Sequence, residues 1–357
     1  MMKILHSADW HLDSPLVGKT GEHAAYLRAE LLKIPDMVTS LCKREGCDLL
    51  FLAGDLFDGA HSKESYQAVY AALKEVGVPV FISPGNHDFC RADSPYETEI
   101  WPENVHIFRH PAMESIPLPA LDCRVWGAGF DAMDCPALLK DFRAEGEERW
   151  QLGILHGDPT QASSPYCPVT AQQVRASGLT YLALGHIHKT GSFRSGDAFC
   201  AWPGCAMGRG YDEPGEKGVL VVTVDEDVSA RFLPLDTPRF FDISADVGDN
   251  AATTVADLLP AVDTMDAYRV TLTGYSAPID SGELTALFSH VPNLEIRDRT
   301  LPEMDLWRNI DEDSLEGVYF RTLHDGLDTD SEKLQRSIRL AAKISRQILD
   351  GQEVVLP

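Results

Sequence analysis

Positive charge is what this sequence has least of. Against 55 Asp and Glu stand 31 Lys and Arg, a formal net charge of −24 at pH 7. A chain that binds nucleic acid unaided normally carries a basic footprint, so an autonomous nucleic-acid binder is not expected. The acid surplus is enough to keep a surface hydrated. Long apolar runs are missing too, and none approaches the roughly 20 residues needed for a membrane-spanning helix. The opening Met1-Met2-Lys3-Ile4-Leu5-His6 leads straight into a strand-like run, which leaves no room for a signal peptide. The eight cysteines (42, 47, 90, 123, 135, 167, 200 and 205) contain no C-x-x-C pair. That argues against a zinc ribbon and against a disulfide framework, and a reducing cytoplasm is the expected setting. Internal repeats and low-complexity segments are absent as well. What remains is a 357-residue chain, 44% hydrophobic and 24% charged, ordinary for one large globular domain with smaller appendages.

What the chain does have is polar clusters placed after apolar runs. Val78 to Ile82 reads as a buried strand, and Pro84-Gly85-Asn86-His87-Asp88 follows it. Pro, Gly, Asn and Asp are turn formers, so this stretch alone suits a strand-to-turn junction. Asn86 can also give a metal its carbonyl oxygen while His87 stays free to move a proton.

The same arrangement recurs along the chain. Lys3 to Ser7 is strand-like and runs into Asp9-Trp10-His11; Asp48 to Ala53 runs into Gly54-Asp55-Leu56-Phe57-Asp58. Glu22 to Glu45 is helical in composition, with Pro35 marking a break or a second start. Lys63 to Val76 places Val69, Leu73 and Val76 at helical spacing and closes at Gly77. This β-α-β-α-β order predicts parallel strands with helices on both faces, and ligands in such sheets bind just past the strands' carboxyl ends. Further on, Val105 to Phe108 and Arg124 to Phe130 read as strands and Pro136 to Phe142 as a helix. Gln151 to Leu155 reads as a strand ending in His156-Gly157-Asp158. Thr170 to Ser177 reads as a helix, and Leu179 to Leu184 as a strand ending in Gly185-His186-Ile187-His188. Val219 to Val224 and Ser229 to Leu235 form a hairpin.

Near Asp236-Thr237-Pro238 the character changes. The next stretch, to about Pro302, reads as a small α/β module without His/Asp clusters. Beyond Asp311 two amphipathic helices are expected, the second carrying Leu334, Ile338, Ala341, Ile344 and Ile348 on one face and stopping near Gly351. The predicted domains are therefore 1–238, 239–305 and 306–357.

Seven residues at these strand ends form a candidate metal set: Asp9, His11, Asp55, Asn86, His156, His186 and His188. Asp9 and His11, and again His186 and His188, stand two apart, so in extended backbone each pair would leave one face and grip one ion. Asp55 has two oxygens and can bridge two ions. Mixed N/O donors suit Mn2+, Fe2+ or Zn2+ better than Ca2+ or Mg2+. Two such ions about 3.5–4 Å apart can clamp both oxygens of a phosphoryl displacement. A lone buried His is usually a hydrogen-bonded core residue, but here five of twelve histidines fall in one series of strand ends.

These motifs, D-x-H, G-D-x-x-D, G-N-H-D, a lone H-G-D and G-H-x-H in that order, resemble the calcineurin-like metallophosphoesterases, and within them the bacterial SbcD-type DNA repair exonucleases. His6-Ser7-Ala8-Asp9-Trp10-His11-Leu12-Asp13-Ser14-Pro15 is most similar to the YhaO-like branch. The resemblance covers roughly residues 3–235. It implies a four-layer α/β sandwich of two sheets flanked by helices, with a small capping module and C-terminal helices. One metal would be held by Asp9, His11, Asp55 and His188, and the second by Asp55, Asn86, His156 and His186. His87 would be the catalytic histidine, a metal-bound hydroxide the nucleophile, and Mn2+ the expected metal. Asp58 stands where some relatives carry a second His. Asp88 is expected to orient His87 or a ligand, or to cap a turn; Asp58 and Asp158 carry the same two readings. Arg209 could meet a phosphate, though an ordinary surface Arg is the plainer reading. His61 is read as a solvated loop residue and His6 as packed scaffold.

The leading expectation is a metal-dependent DNA phosphodiesterase, exo- and endonuclease, in which bound cations and a partner supply the missing positive charge. The C-terminal helices would dock an SMC-like ATPase of the SbcC/YhaN type or pack on the cap, and a homodimer is expected. One alternative keeps the chemistry and changes the substrate to a small nucleotide or other phosphodiester. The other is a non-catalytic scaffold for the ATPase.

Overall fold

The structure is a computed structural model describing residues 1–16, 21–248, 250–302, 305–351 and 354. Parts of the predicted 239–305 and 306–357 segments thus lie outside the described residues. The chain divides into two compact units: Met1–Asp242 with Asp263–Arg269 and Val291–Asn293, and Ile243–Val262 with Val270–His290 and Leu294–Pro357. Among the described residues no helix is long and apolar enough to cross a membrane.

The first unit opens with strands Met2–Ser7 (β1), Leu49–Leu52 (β2), Val80–Ile82 (β3) and Val105–Ile107 (β4), separated by helices Gly21–Leu31 (α1), Ile34–Glu45 (α2), Lys63–Glu75 (α3) and Pro95–Thr98 (α4). Glu114–Leu118 (β5), Cys123–Gly127 (β6), Trp150–His156 (β7), helix Ala171–Ala176 (α5), Tyr181–Gly185 (β8), Gly191–Ser195 (β9) and Ala198–Trp202 (β10) follow, then the hairpin Gly218–Val224 (β11) and Val228–Pro234 (β12). They form two six-stranded mixed sheets, ordered β12-β11-β1-β2-β3-β4 and β5-β6-β7-β8-β10-β9. Strands β1 to β4 pair in parallel, as do β6, β7 and β8.

Alternation along each strand builds the layers. Ile4, Phe51 and Phe81 point from the first sheet into a core shared with Val125, Leu152, Ile154 and Ala183 of the second. Their neighbours Leu5, Leu50, Val80 and Ile82 face the opposite way, onto Leu27 of α1, Val38 of α2 and Leu73 of α3. On the far side of the second sheet, Leu155, Leu182 and Leu184 pack with Val174 of α5 and Leu139. This is the four-layer sandwich. Helices cover one face of each sheet, because the sheets cover each other, and so not both faces as β-α-β-α-β alone suggests.

One expected helix does not form. Pro136 to Phe142 is a chain of turns. The Cys135 amide donates to Pro165 O and its carbonyl accepts from the Cys167 amide, both at 2.8 Å, and Asp141 turns left-handed at φ 61°. Tertiary pairing of Cys135 and burial of Leu139 outweigh a short helical preference.

Beyond β12 a three-stranded sheet orders Phe240–Asp246, Ala267–Thr273 and Asn293–Asp298. Helices Ala251–Leu258 (α6), Ser281–Ala286 (α7), Leu315–Asp325 (α8) and Glu332–Leu349 (α9) accompany it. Helix α9 buries Ala342, Arg346 and Gln347, whereas Leu334, Ile348 and Leu349 stay exposed. The Arg346 guanidinium lies 3.6 Å from the Phe320 ring centroid and pairs with Glu316. The apolar stripe read from the sequence is therefore open at both ends.

Candidate metal centre

β1, β2 and β3 are neighbours in the first sheet, and β7 and β8 in the second. The loops leaving these five strands bring all seven predicted ligands into one pocket. The first two loops continue the ladder of their strands: the Asp9 amide donates to Gly54 O at 3.0 Å and the His11 amide to Asp55 O at 2.9 Å. The backbone is not extended there. Asp9, His11, Asp55 and His186 have φ of 52°, 49°, 52° and 86°, left-handed values that cost non-glycine residues about 1–3 kcal/mol each. The two-residue spacing thus places its pairs together through strained turns, which the surrounding sandwich holds, rather than through a shared strand face.

Glycine permits the closest approaches. A Cβ on Gly85 would lie 2.2 Å from Asp55 Oδ1 and 2.8 Å from His156, and Gly54, at φ +88°, sits equally tightly beneath His156. Gly85→Ala should therefore weaken metal binding about 10–100-fold, the scale seen when a ligand's support is disturbed, though no ligand is replaced. Calorimetric titration with Mn2+ checks this, and unchanged affinity would mean the turn relaxes freely.

Asp55 is the centre of the group. Its Oδ1 accepts the His87 amide at 2.9 Å. Its Oδ2 lies 3.3 Å from His156 Nε2 and 3.9 Å from His11 Nε2. On one side His11 Nε2 meets His188 Nε2 at 3.1 Å, and Asp9 Oδ1 lies 3.8 Å from His188 Nε2. On the other, Asn86 Oδ1 lies 2.9 Å from His156 Nε2 and 3.1 Å from His186 Nδ1. Asp9, His11 and His188 have donor atoms close enough to share an ion, as do Asp9, Asp55 and His156. The donor set crowds carboxylate, amide and imidazole ligand atoms within reach of one another, an arrangement that suits a shared cation.

The outer nitrogens of two rings are engaged. His156 Nδ1 donates to Ala53 O at 2.9 Å and His188 Nδ1 to Glu213 Oε1 at 2.5 Å. Each bond turns Nε2 towards the pocket, where a metal can replace its proton.

The electrostatics agree. Burial would raise the Asp55 carboxyl, but His156 and His11 hold it well below the ordinary carboxylate range. Burial alone would lower His156, yet Asp55 and Asp9 lift it to about 10. Burial lifts Asp9 to about 6 despite His188 and His156. Burial lowers His11 to about 3 and His186 to about 4, leaving both neutral, as ligands must be. The pocket pulls positive charge in, and a divalent cation can take the place of the proton on His156.

His87 stands outside this inner set, its side chain 43% exposed. Its Nδ1 donates to Asp58 Oδ1 at 2.7 Å. That bond is the main cause of its raised pKa, with burial opposing and the Asp55 charge helping.

Asp88 does not reach His87. It accepts from the amides of Asp55, Leu56, Phe57 and Gly85 and from the Tyr96 hydroxyl, at 2.6–3.3 Å, and so pins the backbone of the Asp55 loop. Asp158 caps its own turn through Thr160 and Gln161. His6 is scaffold, bonded to Tyr181 Oη and Leu184 O. His61 is half-buried at 3.4 Å from Glu99 rather than solvated.

The plain reading of Arg209 as a surface residue is wrong: its side chain is 19% exposed and bonds Asp58 and Glu213. Glu213, on His188, and Tyr166, whose ring centroid is 4.9 Å from that of His186, were missed. The only sequence signal for Glu213 is its four-residue separation from Arg209.

The calcineurin-like phosphoesterase family model matches residues 2–190. The chain is similar to the Bacillus subtilis "Uncharacterized metallophosphoesterase YhaO", with 31% identity over 65% of this chain and 60% of that protein. It is also similar to the SbcD subunit of the Bacillus subtilis nuclease SbcCD, with 25% identity over 62% of this chain and 66% of that protein. It therefore spans less than two thirds of the length of either relative. Among solved structures it is similar to a dimetal phosphatase from Danio rerio, at 14% identity over 65% of this chain and 96% of that one, with a TM-score of 0.43. The family match spans over half of the chain and includes all seven converging donors, so the chain belongs to the calcineurin-like metallophosphoesterases, hydrolases that work with a dinuclear divalent metal centre.

Proposed function

We propose that this chain is a metal-dependent DNA phosphodiesterase, an exo- and endonuclease that works with an SMC-like ATPase in DNA repair. The observation that carries the phosphodiester chemistry is the single pocket of seven converging donors with His87 at its open rim. Asp9, His11, Asp55 and His188 would hold one cation, and Asp55, Asn86, His156 and His186 the other, with Mn2+ favoured by the N/O set. When bound, the cations supply Lewis-acid activation of water and neutralise phosphoryl charge.

The remaining work falls to side chains. Asp58 holds His87 Nδ1–H, which turns Nε2 outward to give a proton to the leaving oxygen. The raised pKa keeps that proton available near neutrality. Asp88 keeps the Asp55 loop in its left-handed form.

Support for DNA as substrate comes from the likeness to a nuclease component and from a second unit that a small-molecule phosphodiesterase does not need. In this reading the 239–305 module serves as a cap that guides DNA. Exposed Leu315, Val318, Leu334 and Ile348 of α8 and α9 dock the ATPase of the SbcC/YhaN type, within a cytoplasmic homodimer.

The test compares turnover on linear DNA, on a cyclic nucleotide and on bis(p-nitrophenyl) phosphate with added Mn2+. Cleavage of DNA by the wild type, lost in His87→Gln, is the expected result. Turnover confined to small phosphodiesters would move the assignment to the second reading. Neither metal uptake nor cleavage would leave a scaffold.

A further inference from the structure

A continuous chain of five side chains links the metal side of the pocket to its proton-transfer side. His188 Nδ1 donates to Glu213 Oε1 at 2.5 Å. Arg209 Nη2 donates to the same oxygen at 3.1 Å, and the Arg209 amide donates to Glu213 Oε2 at 2.8 Å. Arg209 Nη1 then donates to Asp58 Oδ2 at 3.3 Å, and Asp58 Oδ1 accepts His87 Nδ1–H at 2.7 Å. Arg209 and Glu213 both sit in the loop between β10 and β11. The loop's own backbone bond, from the Glu213 amide to Gly210 O at 3.1 Å, sets the spacing of the pair. Glu213 is buried and the Arg209 side chain nearly so.

Building on the function proposed above, we infer that Arg209 and Glu213 are positioning residues, a two-headed brace that fixes the His188 ring and the Asp58–His87 pair at one set separation. Glu213 selects the His188 tautomer whose Nε2 faces the pocket. Arg209 neutralises Glu213 and spans to Asp58 with its second terminal nitrogen, a task for a planar fork. A lysine has the charge but lacks the two fixed donors. With both terminal nitrogens turned to carboxylates, the guanidinium acts through Asp58 and His188 rather than on a phosphate.

Glu213 also lies beside His188 Nδ1 and Cys205 Sγ, close enough for those three to grip an ion of their own. Arg209 Nη2 stands 3.5 Å from His188 Nδ1 and puts a fixed positive charge there instead.

Two measurements on the full chain test the brace. In calorimetric titration with Mn2+, Glu213→Ala should weaken one of two sites about 10–100-fold, the usual weight of a ligand's outer partner. Glu213→Gln keeps an acceptor oxygen for His188 Nδ1 and should recover most of that loss. In steady-state cleavage of bis(p-nitrophenyl) phosphate, Arg209→Gln should keep two Mn2+ and an unchanged KM while kcat falls about 10²-fold, the scale of a small misplacement of a reacting group. Arg209→Lys should fall nearly as far.

Wild-type Mn2+ affinity in Glu213→Ala would overturn the tautomer role. A raised KM at preserved kcat in Arg209→Gln would make Arg209 a phosphate grip instead of a brace, and full rescue by lysine would reduce it to a point charge. A wild type that binds no Mn2+ would sink the proposed function itself, and the brace with it; the variants overturn the brace alone.

Discussion

Asp55→Asn removes both cations together. The carboxylate faces both halves of the pocket, with Oδ2 3.3 Å from His156 and 3.9 Å from His11. An amide of the same shape fails there for a directional reason. The Oδ1 position is fixed by the His87 amide at 2.9 Å, so the new carbonyl stays on that side and the new NH2 turns towards the cations. A donor then points into the pocket, where a lone pair and a negative charge are required. Both sites should lose affinity by more than the roughly 10–100-fold that outer partners cost, and cleavage should disappear. Calorimetry against Mn2+ counts the sites. If one tight site survives, Asp55 does not bridge.

His87→Gln has the opposite signature. His87 turns Nδ1 to Asp58 and leaves its ring nearly perpendicular to His11, centroids 4.9 Å apart. His11, Asp58 and His87 are near enough to hold an ion of their own, but the short His87–Asp58 bond already uses those two atoms on each other. Metal content should therefore stay at the wild-type value while kcat falls about 10²–10⁴-fold, the range for a positioned acid–base group. A variant that purified with fewer ions would make His87 a ligand. Full activity at full occupancy would leave the proton to another donor.

Much of the site was legible because parallel strands buried on both faces are continuous apolar runs, and β1, β2, β7 and β8 each end in a polar cluster. The loops were read correctly as places but not as shapes. Nothing in Asp9-Trp10-His11 announces two left-handed residues, since only tertiary context makes them tolerable.

The half-exposed strands were lost for a related reason. Gly191-Ser192-Phe193-Arg194-Ser195 pairs with β10 yet has no run or strong alternation to reveal it. Glu114–Leu118, with Pro117 inside it, pairs with β6 at the edge of the described sheet, where proline is allowed.

The contact of Arg209 with Asp58 was out of reach altogether. Arg209 meets Asp58 across 151 positions, and a Gly-rich loop carries no period from which to predict a partner. For Asp88 several readings were open, and the structure removes only the pairing with His87, which takes Asp58 instead, while Asp88 collects the amides of the Asp55 loop and of its own turn at Gly85.

The measurement that bears most directly on the shared-carboxylate centre is anomalous scattering from crystals grown with Mn2+. Two peaks about 3.5–4 Å apart should appear, with Asp55 Oδ2 between them, Asp9, His11 and His188 around one, and Asn86, His156 and His186 around the other. A single peak, or two peaks that share no side chain, would contradict it.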